Sequence, residues 1–100
     1  MAVHLVTFRL DNGPDYSDRW NSLVDAIRAL ADDGITWEET TSVFILKSPL
    51  SAADLLEKIW INSSLNKTRD KCVVINLSYK LYAAFGCEYP HTLNSLMAAR

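Results

Sequence analysis

The sequence contains few of the residues that mark metal sites and phosphate-binding loops. It has two cysteines, three glycines and three prolines in 100 residues. Cys72 and Cys87 form no CxxC pair, and no histidine spacing would complete a zinc site. The glycines are too far apart for a glycine-rich phosphate loop. We therefore interpret Cys72 as a small core residue of a reduced, cytoplasmic protein.

Long apolar runs and an excess of one charge are also absent. No stretch approaches the roughly 20 apolar residues that a helix needs to cross a bilayer. Residues 1–10 lack the basic region and the small-residue cleavage site of a signal peptide. Ten Lys and Arg residues face twelve Asp and Glu residues, for a net charge of -2. The sequence therefore predicts no membrane partner, and binding of nucleic acid would need a local basic patch.

A hairpin followed by a capped helix, within residues 36–56, organises the rest of the chain. Residues 42–46 are rich in β-branched, aromatic and aliphatic side chains, which predicts a central strand. Residues 35–40 alternate in polarity and predict the other arm of the hairpin. Ser51 with Asp54 three residues later is typical of a helix start.

The remaining patterns complete one α+β domain, for which 100 residues with 49% hydrophobic content are sufficient. Apolar residues recur at helical spacing over residues 16–31 and again over 55–60. Residues 3–10 and 71–79 alternate as strands do. The order strand, helix, strand, strand, helix, strand predicts a ferredoxin-like βαββαβ sandwich over residues 1–80.

Residues 81–100 form a C-terminal extension in this interpretation. Residues 81–86 predict either a fifth short strand or a loop that packs its aromatic side chains on a sheet edge. Pro90 breaks this segment and Thr92 can cap the short helix that follows. The apolar residues of that helix are Leu93, Leu96 and Met97.

The first strand predicts which face of the sheet the helices cover. Its more apolar set of alternate residues is expected to face the helices: His4, Val6, Phe8 and Leu10. Two helices on one face leave the other face open, and apolar residues exposed there usually mark an interface. A homodimer is the simplest expectation.

The chain resembles a known family along the first strand, at Ser42-Val43-Phe44 and over residues 50–58. It is similar to the small ferredoxin-like CRISPR-associated subunit of spacer acquisition and its wider superfamily, which includes virulence-associated toxin ribonucleases. The Ser-Val-Phe triplet before a capped helix resembles the second-strand hallmark of that family. The likeness covers residues 3–79. It is closest to uncharacterised members with a tryptophan before the hairpin, as at Trp37, and a Leu-Val-Thr first strand, as at residues 5–7.

The resemblance implies a homodimer in which the sheets come together and the C-terminal segments add strands. In nuclease members it also implies an aspartate at the end of the first strand, paired across the dimer axis around a divalent metal. Here Arg9 occupies that place, and Asp11 follows two residues later. Because a guanidinium is a cation with donors only, Arg9 cannot bind Mg²⁺. This departure argues against nuclease activity.

Asp11 is the candidate catalytic and metal-binding residue if the chain is nevertheless a nuclease. With Asp15 and a symmetry mate it would hold Mg²⁺, the one cofactor that this alternative requires. The other interpretation makes Asp11 a turn residue and Asp15 a helix cap, with no cofactor. His4 is either a general base or a residue at a sheet edge or in a satisfied hydrogen bond. No Ser-His-Asp arrangement can be assembled from the spacing.

Cations and aromatic side chains are the candidates for binding nucleic acid. Trp37 is a candidate for stacking on bases, whereas Trp20 and Trp60 lie on helical apolar stripes and are expected in the core. Solvated loop charges are the alternative interpretation of the cations. The cations that are candidates for a phosphate-binding stripe are Arg9, Lys47, Lys67, Arg69, Lys71 and Lys80.

The sequence thus predicts a dimeric, non-catalytic protein that acts as an adaptor for nucleic acid or for a protein partner. A metal-dependent endonuclease or endoribonuclease that uses Asp11 is one alternative. The other alternative is a structural oligomerisation module whose open sheet face binds another protein.

Overall fold

The computed structural model describes residues 1–79 and 81–99, which form an α+β fold. Its strands are β1 (Ala2–Arg9), β2 (Thr36–Trp37), β3 (Val43–Ser48), β4 (Lys71–Asn76) and β5 (Leu81–Phe85). Its helices are α1 (Tyr16–Ala29), α2 (Ala52–Ile61) and α3 (Pro90–Ala99). The five strands form one antiparallel sheet in the order β2-β3-β1-β4-β5. None of the helices in these ranges is long and apolar enough to span a membrane.

Alternation along β1 decides which face of the sheet is buried. His4, Val6 and Phe8 are buried, whereas Val3 and Arg9 are exposed, which confirms the face predicted to meet the helices. Both α1 and α2 pack on this face, because their apolar residues join the same core as the β1 side chains. The helical residues of the core are Leu23, Val24, Ile27, Leu55, Leu56 and Ile59.

The helix starts differ in how closely they follow the sequence signals. At the start of α2 the Ser51 hydroxyl accepts a hydrogen bond from the Asp54 backbone N–H at 3.1 Å, which confirms the predicted cap. Asp15 lies at the N-cap position of α1, but its side chain makes no capping hydrogen bond. α3 begins at Pro90 and not after Thr92, so the predicted cap is wrong. Proline is tolerated at the first helical position because the backbone N–H that it lacks would have no partner within the helix.

The first arm of the hairpin is much shorter than predicted. Only Thr36 and Trp37 pair with β3. The next residue, Glu38, is held by other partners, since its carboxylate forms an ion pair with Arg28 of α1 and accepts from the Thr36 hydroxyl at 2.6 Å. Ser42 then adopts a φ of 64°, which non-glycine residues rarely do. Side-chain contacts to α1 and this turn therefore end the strand pairing early.

β5 extends the sheet beyond β4, so residues 81–85 are a strand and not a loop. The chain leaves β5 through Gly86, whose φ is 75°. A Cβ atom at Gly86 would lie 2.1 Å from the carbonyl oxygen of Asp70, the residue before β4. Glycine is therefore required here both for the backbone conformation and for the close approach of the two segments.

Candidate functional site

The sheet face that α1 and α2 leave uncovered carries an apolar row across all five strands. Each member of the row is the direct register neighbour of the next: Trp37, Ile45, Leu5, Ile75 and Tyr82. Directly paired residues share a face, so all five side chains lie on the same side of the sheet. Trp37 is 40% exposed, and the other four are half-buried among their neighbours. The open face comprises these five residues with Val3, Thr7, Val43, Val73 and Ala84.

The open face has the dimensions of a protein-binding surface. The five strands contain 27 residues, and each residue covers about 3.3 Å along its strand and about 4.8 Å across the sheet. The flat area is thus about 400 Å², within the range of about 300–600 Å² for the largest apolar patch on a monomer, which is often functional. Its charged side chains lie at the ends of the strands, at Arg9, Lys47 and Lys71, and not in the middle.

Three cations form a basic corner at one end of the open face: Arg9, Arg69 and Lys71. Arg9 and Lys71 are direct cross-strand neighbours. Arg69 lies two residues before Lys71, and its Nε is 3.3 Å from a carboxylate oxygen of Asp11. The Lys71 ammonium donates to the Gly86 carbonyl at 3.0 Å. The three cations therefore lie near the end of β1 and the start of β4, and the carboxylates of Asp11 and Asp15 lie near Arg69.

The other predicted cations lie elsewhere. Lys47 is opposite Val3 near the start of β1, and its ammonium lies 3.5 Å from the Asp33 carboxylate. Lys67 lies in the chain after α2, and its ammonium is 3.9 Å from the centre of the ring of Trp60, a residue of α2. Lys80 is outside the described residues. The structure therefore brings together Arg9, Arg69 and Lys71 and separates Lys47 and Lys67 from them.

Asp11, the candidate metal ligand, is engaged by cations and by loop contacts. Its carboxylate pairs with Arg69, and its backbone N–H donates to the Asp70 carboxylate at 2.9 Å. Within residues 1–79 and 81–99, no group of three or more His, Cys, Asp or Glu side chains is arranged to hold a metal ion. Within one chain, Asp11 therefore faces a guanidinium where a Mg²⁺ site needs further carboxylates.

His4 is enclosed in the protein and is not available to an external substrate. It lies on β1 between β3 and β4, so the sheet-edge interpretation is wrong. Its Nε2 is 3.0 Å from the Leu50 carbonyl and must carry the proton, because a carbonyl only accepts. Nδ1 is buried and has no hydrogen-bond partner among the described residues. Burial lowers the pKa of His4, which favours the neutral imidazole.

A buried ion pair beneath the basic corner was not predicted from the sequence. The Asp70 carboxylate pairs with Arg19 of α1 and accepts the backbone N–H groups of Asp11 and Asn66, at 2.9 and 2.7 Å. Arg19 is 5% exposed and Asp70 is 1% exposed. The pair joins the loop before α1 to the loop before β4. One signal was present, because Arg19 precedes Leu23 by four residues on the buried side of α1, and a buried arginine needs an acidic partner.

The tryptophans and cysteines have different surroundings. Trp20 packs on Phe8 with ring centres 5.2 Å apart, as expected for a core residue. Trp60 is 36% exposed and lies beneath the Lys67 ammonium, so its predicted place in the core is wrong. Cys72 is fully buried, which confirms its predicted place in the core, and burial raises the pKa of its thiol to about 12. Its thiol is therefore protonated and unreactive.

Comparisons with protein-family models, with curated proteins and with solved structures gave no match to this chain. The features of the chain that bear on function are therefore the open face, the basic corner and the residues that hold them in place.

Proposed function

We propose that the chain is a dimeric, non-catalytic adaptor that binds a second copy of itself through the open face. The observation that carries this proposal is the apolar row from Trp37 to Tyr82, which crosses all five strands on the side away from α1 and α2. Covering such a row lowers the free energy because apolar surface is removed from water, and a twofold axis covers the same patch on both copies.

The proposal includes a ferredoxin-like assignment for residues 2–76. Strands β2, β3, β1 and β4 are neighbours in that order, and α1 and α2 pack on one face. This order supports a βαββαβ sandwich to which β5 adds a fifth strand. It also supports a distant relation to the spacer-acquisition subunit superfamily.

The apolar area of two open faces can be compared with the free-energy cost of association. Covering about 400 Å² on each copy removes about 800 Å² of mostly apolar surface from water, which contributes at most about 20 kcal/mol. The cost of association is about 4–15 kcal/mol before side-chain ordering. Area alone does not set affinity, and about 800 Å² in total is below the size of a standard interface, so a stable dimer must also cover further surface.

A charge placed at the centre of the open face tests the proposed dimer. Leu5 is the middle residue of the row, so Leu5→Glu should give a folded monomer, because its carboxylate would lose its water in the interface. Ile61→Glu is the matched control, since Ile61 is 59% exposed on α2 and outside the open face. Sedimentation equilibrium gives the mass, and far-ultraviolet circular dichroism checks the fold. A Leu5→Glu protein that remains a folded dimer would refute the interface.

A second observation favours nucleic acid as the ligand of the adaptor. The register of β1 and β4 places Arg9 directly beside Lys71, and Arg69 lies in the loop that leads into β4. Such grouped cations suit the closely spaced phosphates of nucleic acid, which release counterions when bound. A dimer would present two basic corners on one assembly.

Two single-charge variants test this ligand. We expect Arg9→Ala to weaken binding to labelled single-stranded RNA or DNA and to reduce the salt slope by about 1. Lys47→Ala removes the same charge from the other end of the open face and should leave binding unchanged. Fluorescence anisotropy at several salt concentrations measures both quantities. Equal losses in the two variants would indicate a general charge effect and not a site at the basic corner.

The nuclease alternative predicts a different result from the same samples. If Asp11 held Mg²⁺ across a dimer axis, labelled substrate would be cut, and both EDTA and Asp11→Ala would stop the cutting. The adaptor predicts uncut substrate in every case. The pairing of Asp11 with Arg69 favours the adaptor.

A further inference from the structure

α3 is a helix without a buried face of its own. None of its described residues is buried, and Leu96 is 67% exposed. It has 10 residues, fewer than the roughly 12–15 that an isolated helix needs for marginal stability in water. The helix also contains no Asp, Glu, Lys or Arg, the residues that normally cover the solvent side of a surface helix. These features suit a helix that another surface covers.

An apolar stripe along α3 is only half used within the chain. Leu93, Leu96 and Met97 follow the spacing i, i+3 and i+4, which places them on one side of the helix. Tyr89 immediately precedes the helix, and its carbonyl accepts the Leu93 backbone N–H at 3.2 Å. Leu93 and Met97 are half-buried, and Leu93 lies beside Tyr82 and the other residues at the end of β5. Tyr89 and Leu96 are 69% and 67% exposed. Part of the stripe therefore remains for another surface.

α3 lies at the β5 edge of the open face. Tyr82 belongs to the apolar row of that face, and its hydroxyl donates to the side-chain amide oxygen Oδ1 of Asn94 in α3 at 3.0 Å. Leu93 shares a hollow with Tyr82 and Ala84, which are both open-face residues. The helix therefore occupies space beside β5 on the side where the second copy would bind.

This position limits how two open faces can meet. If β5 of one copy lay over β5 of the other, the two α3 helices would compete for the same space. Placing the β5 edge of each copy over the β2 edge of the other avoids this competition and brings α3 close to Trp37, which is 40% exposed. We propose that Leu96 of α3 and the preceding Tyr89 in each copy pack against Trp37 of the partner subunit, an inference that rests on the proposed dimer.

The area of the interface supports the same arrangement. The open face supplies about 400 Å² per copy, whereas a standard interface buries about 800 Å² per partner. Covering Tyr89 and Leu96 in each copy adds to the buried area and brings the interface closer to that size. Tryptophan and tyrosine side chains in such positions commonly dominate binding energy. Trp37 and Tyr89 would therefore be principal contacts of the dimer.

Cross-linking between differently labelled copies tests the contact directly. Both copies carry Cys87→Ser, and buried Cys72 is left in place. A tagged copy carries Ile35→Cys, at a residue that is 69% exposed and next to β2. An untagged copy carries Thr92→Cys on α3. Neither substitution changes the proposed contact residues Trp37, Tyr89 and Leu96. A short bismaleimide should join tagged to untagged chains. The control pair, Ile61→Cys with Thr92→Cys, should give no such product.

Charge substitutions on α3 supply a second measurement. Leu96→Asp should raise the dimer dissociation constant about tenfold or more, as loss of a principal contact does. Ser95→Asp introduces the same charge one residue earlier and about 100° around the helix, and should change the constant less than about threefold. Sedimentation velocity on dilution measures both constants.

The outcomes separate this inference from the dimer itself. A dimer that Leu5→Glu disrupts, but that gives no cross-link and tolerates Leu96→Asp, would overturn the role of α3 and leave the open-face dimer standing. A chain that is monomeric at every concentration would overturn both. A cross-link with equal weakening by Leu96→Asp and Ser95→Asp would overturn the assigned side of α3.

Discussion

Arg19 of α1 and Asp70, the residue before β4, form an ion pair that the protein encloses almost completely. The two residues are 51 positions apart in the chain, and Asp70 also accepts backbone N–H groups from both adjoining loops. Because every oxygen of the carboxylate has a partner, the pair satisfies the requirement for burying charge. The pair fixes the end of β1 and the start of β4, where the basic corner lies.

Loss of one partner of this pair should be strongly destabilising. Asp70→Asn leaves the Arg19 guanidinium buried without a counter-charge, so the free energy of unfolding should fall by about 3–5 kcal/mol. Asp11→Asn is the control, since it weakens the exposed pair with Arg69 and should cost less than about 1 kcal/mol. Urea unfolding followed by circular dichroism measures both values. Similar losses in the two variants would contradict the role given to Asp70.

Two glycines with nearly the same backbone conformation provide a matched test of the contact between β5 and β4. Gly34 has a φ of 73° and no atom within 4 Å of a Cβ position, so Gly34→Ala should cost only about 1–2 kcal/mol of backbone strain. Gly86→Ala adds a clash with the Asp70 carbonyl and should cost about 1–3 kcal/mol more. Thermal and urea unfolding give the difference. Equal costs would mean that the segments do not approach as closely as described.

Buried His4 should make stability depend on pH. Burial lowers the pKa of His4 below its ordinary value of 6.5, so the unfolded chain binds the proton more readily than the folded one. Its contribution is therefore fully present above pH 6.5 and is lost as pH falls toward the folded pKa, with a slope of at most about 1.4 kcal/mol per pH unit.

His4→Gln isolates this effect. Glutamine has no proton to gain and retains a donor for the Leu50 carbonyl. Urea unfolding between about pH 5 and 8 avoids the carboxylates Asp33 and Glu38, whose pKa values are held below their ordinary range by a backbone hydrogen bond and by Arg28 respectively. The decline below pH 6.5 should be absent in the variant. An unchanged decline would assign it to other groups.

Local patterns in the sequence predicted the parts of the fold that depend on neighbouring residues. Alternation along residues 3–10 gave the buried face of β1, and Ser51 with Asp54 gave the start of α2. Each signal acts within one turn or one strand, where side-chain direction follows directly from spacing. These elements therefore needed no knowledge of the tertiary structure.

The features that were missed depend on contacts between distant parts of the chain. The length of β2 is set by Glu38 contacting Arg28 across to α1, which strand propensity does not describe. The grouping of Arg9 with Lys71 follows from the register of β1 and β4, and the separation of Lys47 follows from its pairing at the other end of β1. All the candidate cations were visible in the sequence, but their grouping required the sheet.

The mass of the unmodified protein in solution tests the central claim most directly. The chain has a mass of 11.3 kDa, and a self-complementary open face predicts twice that value by sedimentation equilibrium, with a shift toward one chain mass on dilution. A mass of one chain at every concentration, for protein that is folded by circular dichroism, would contradict the account.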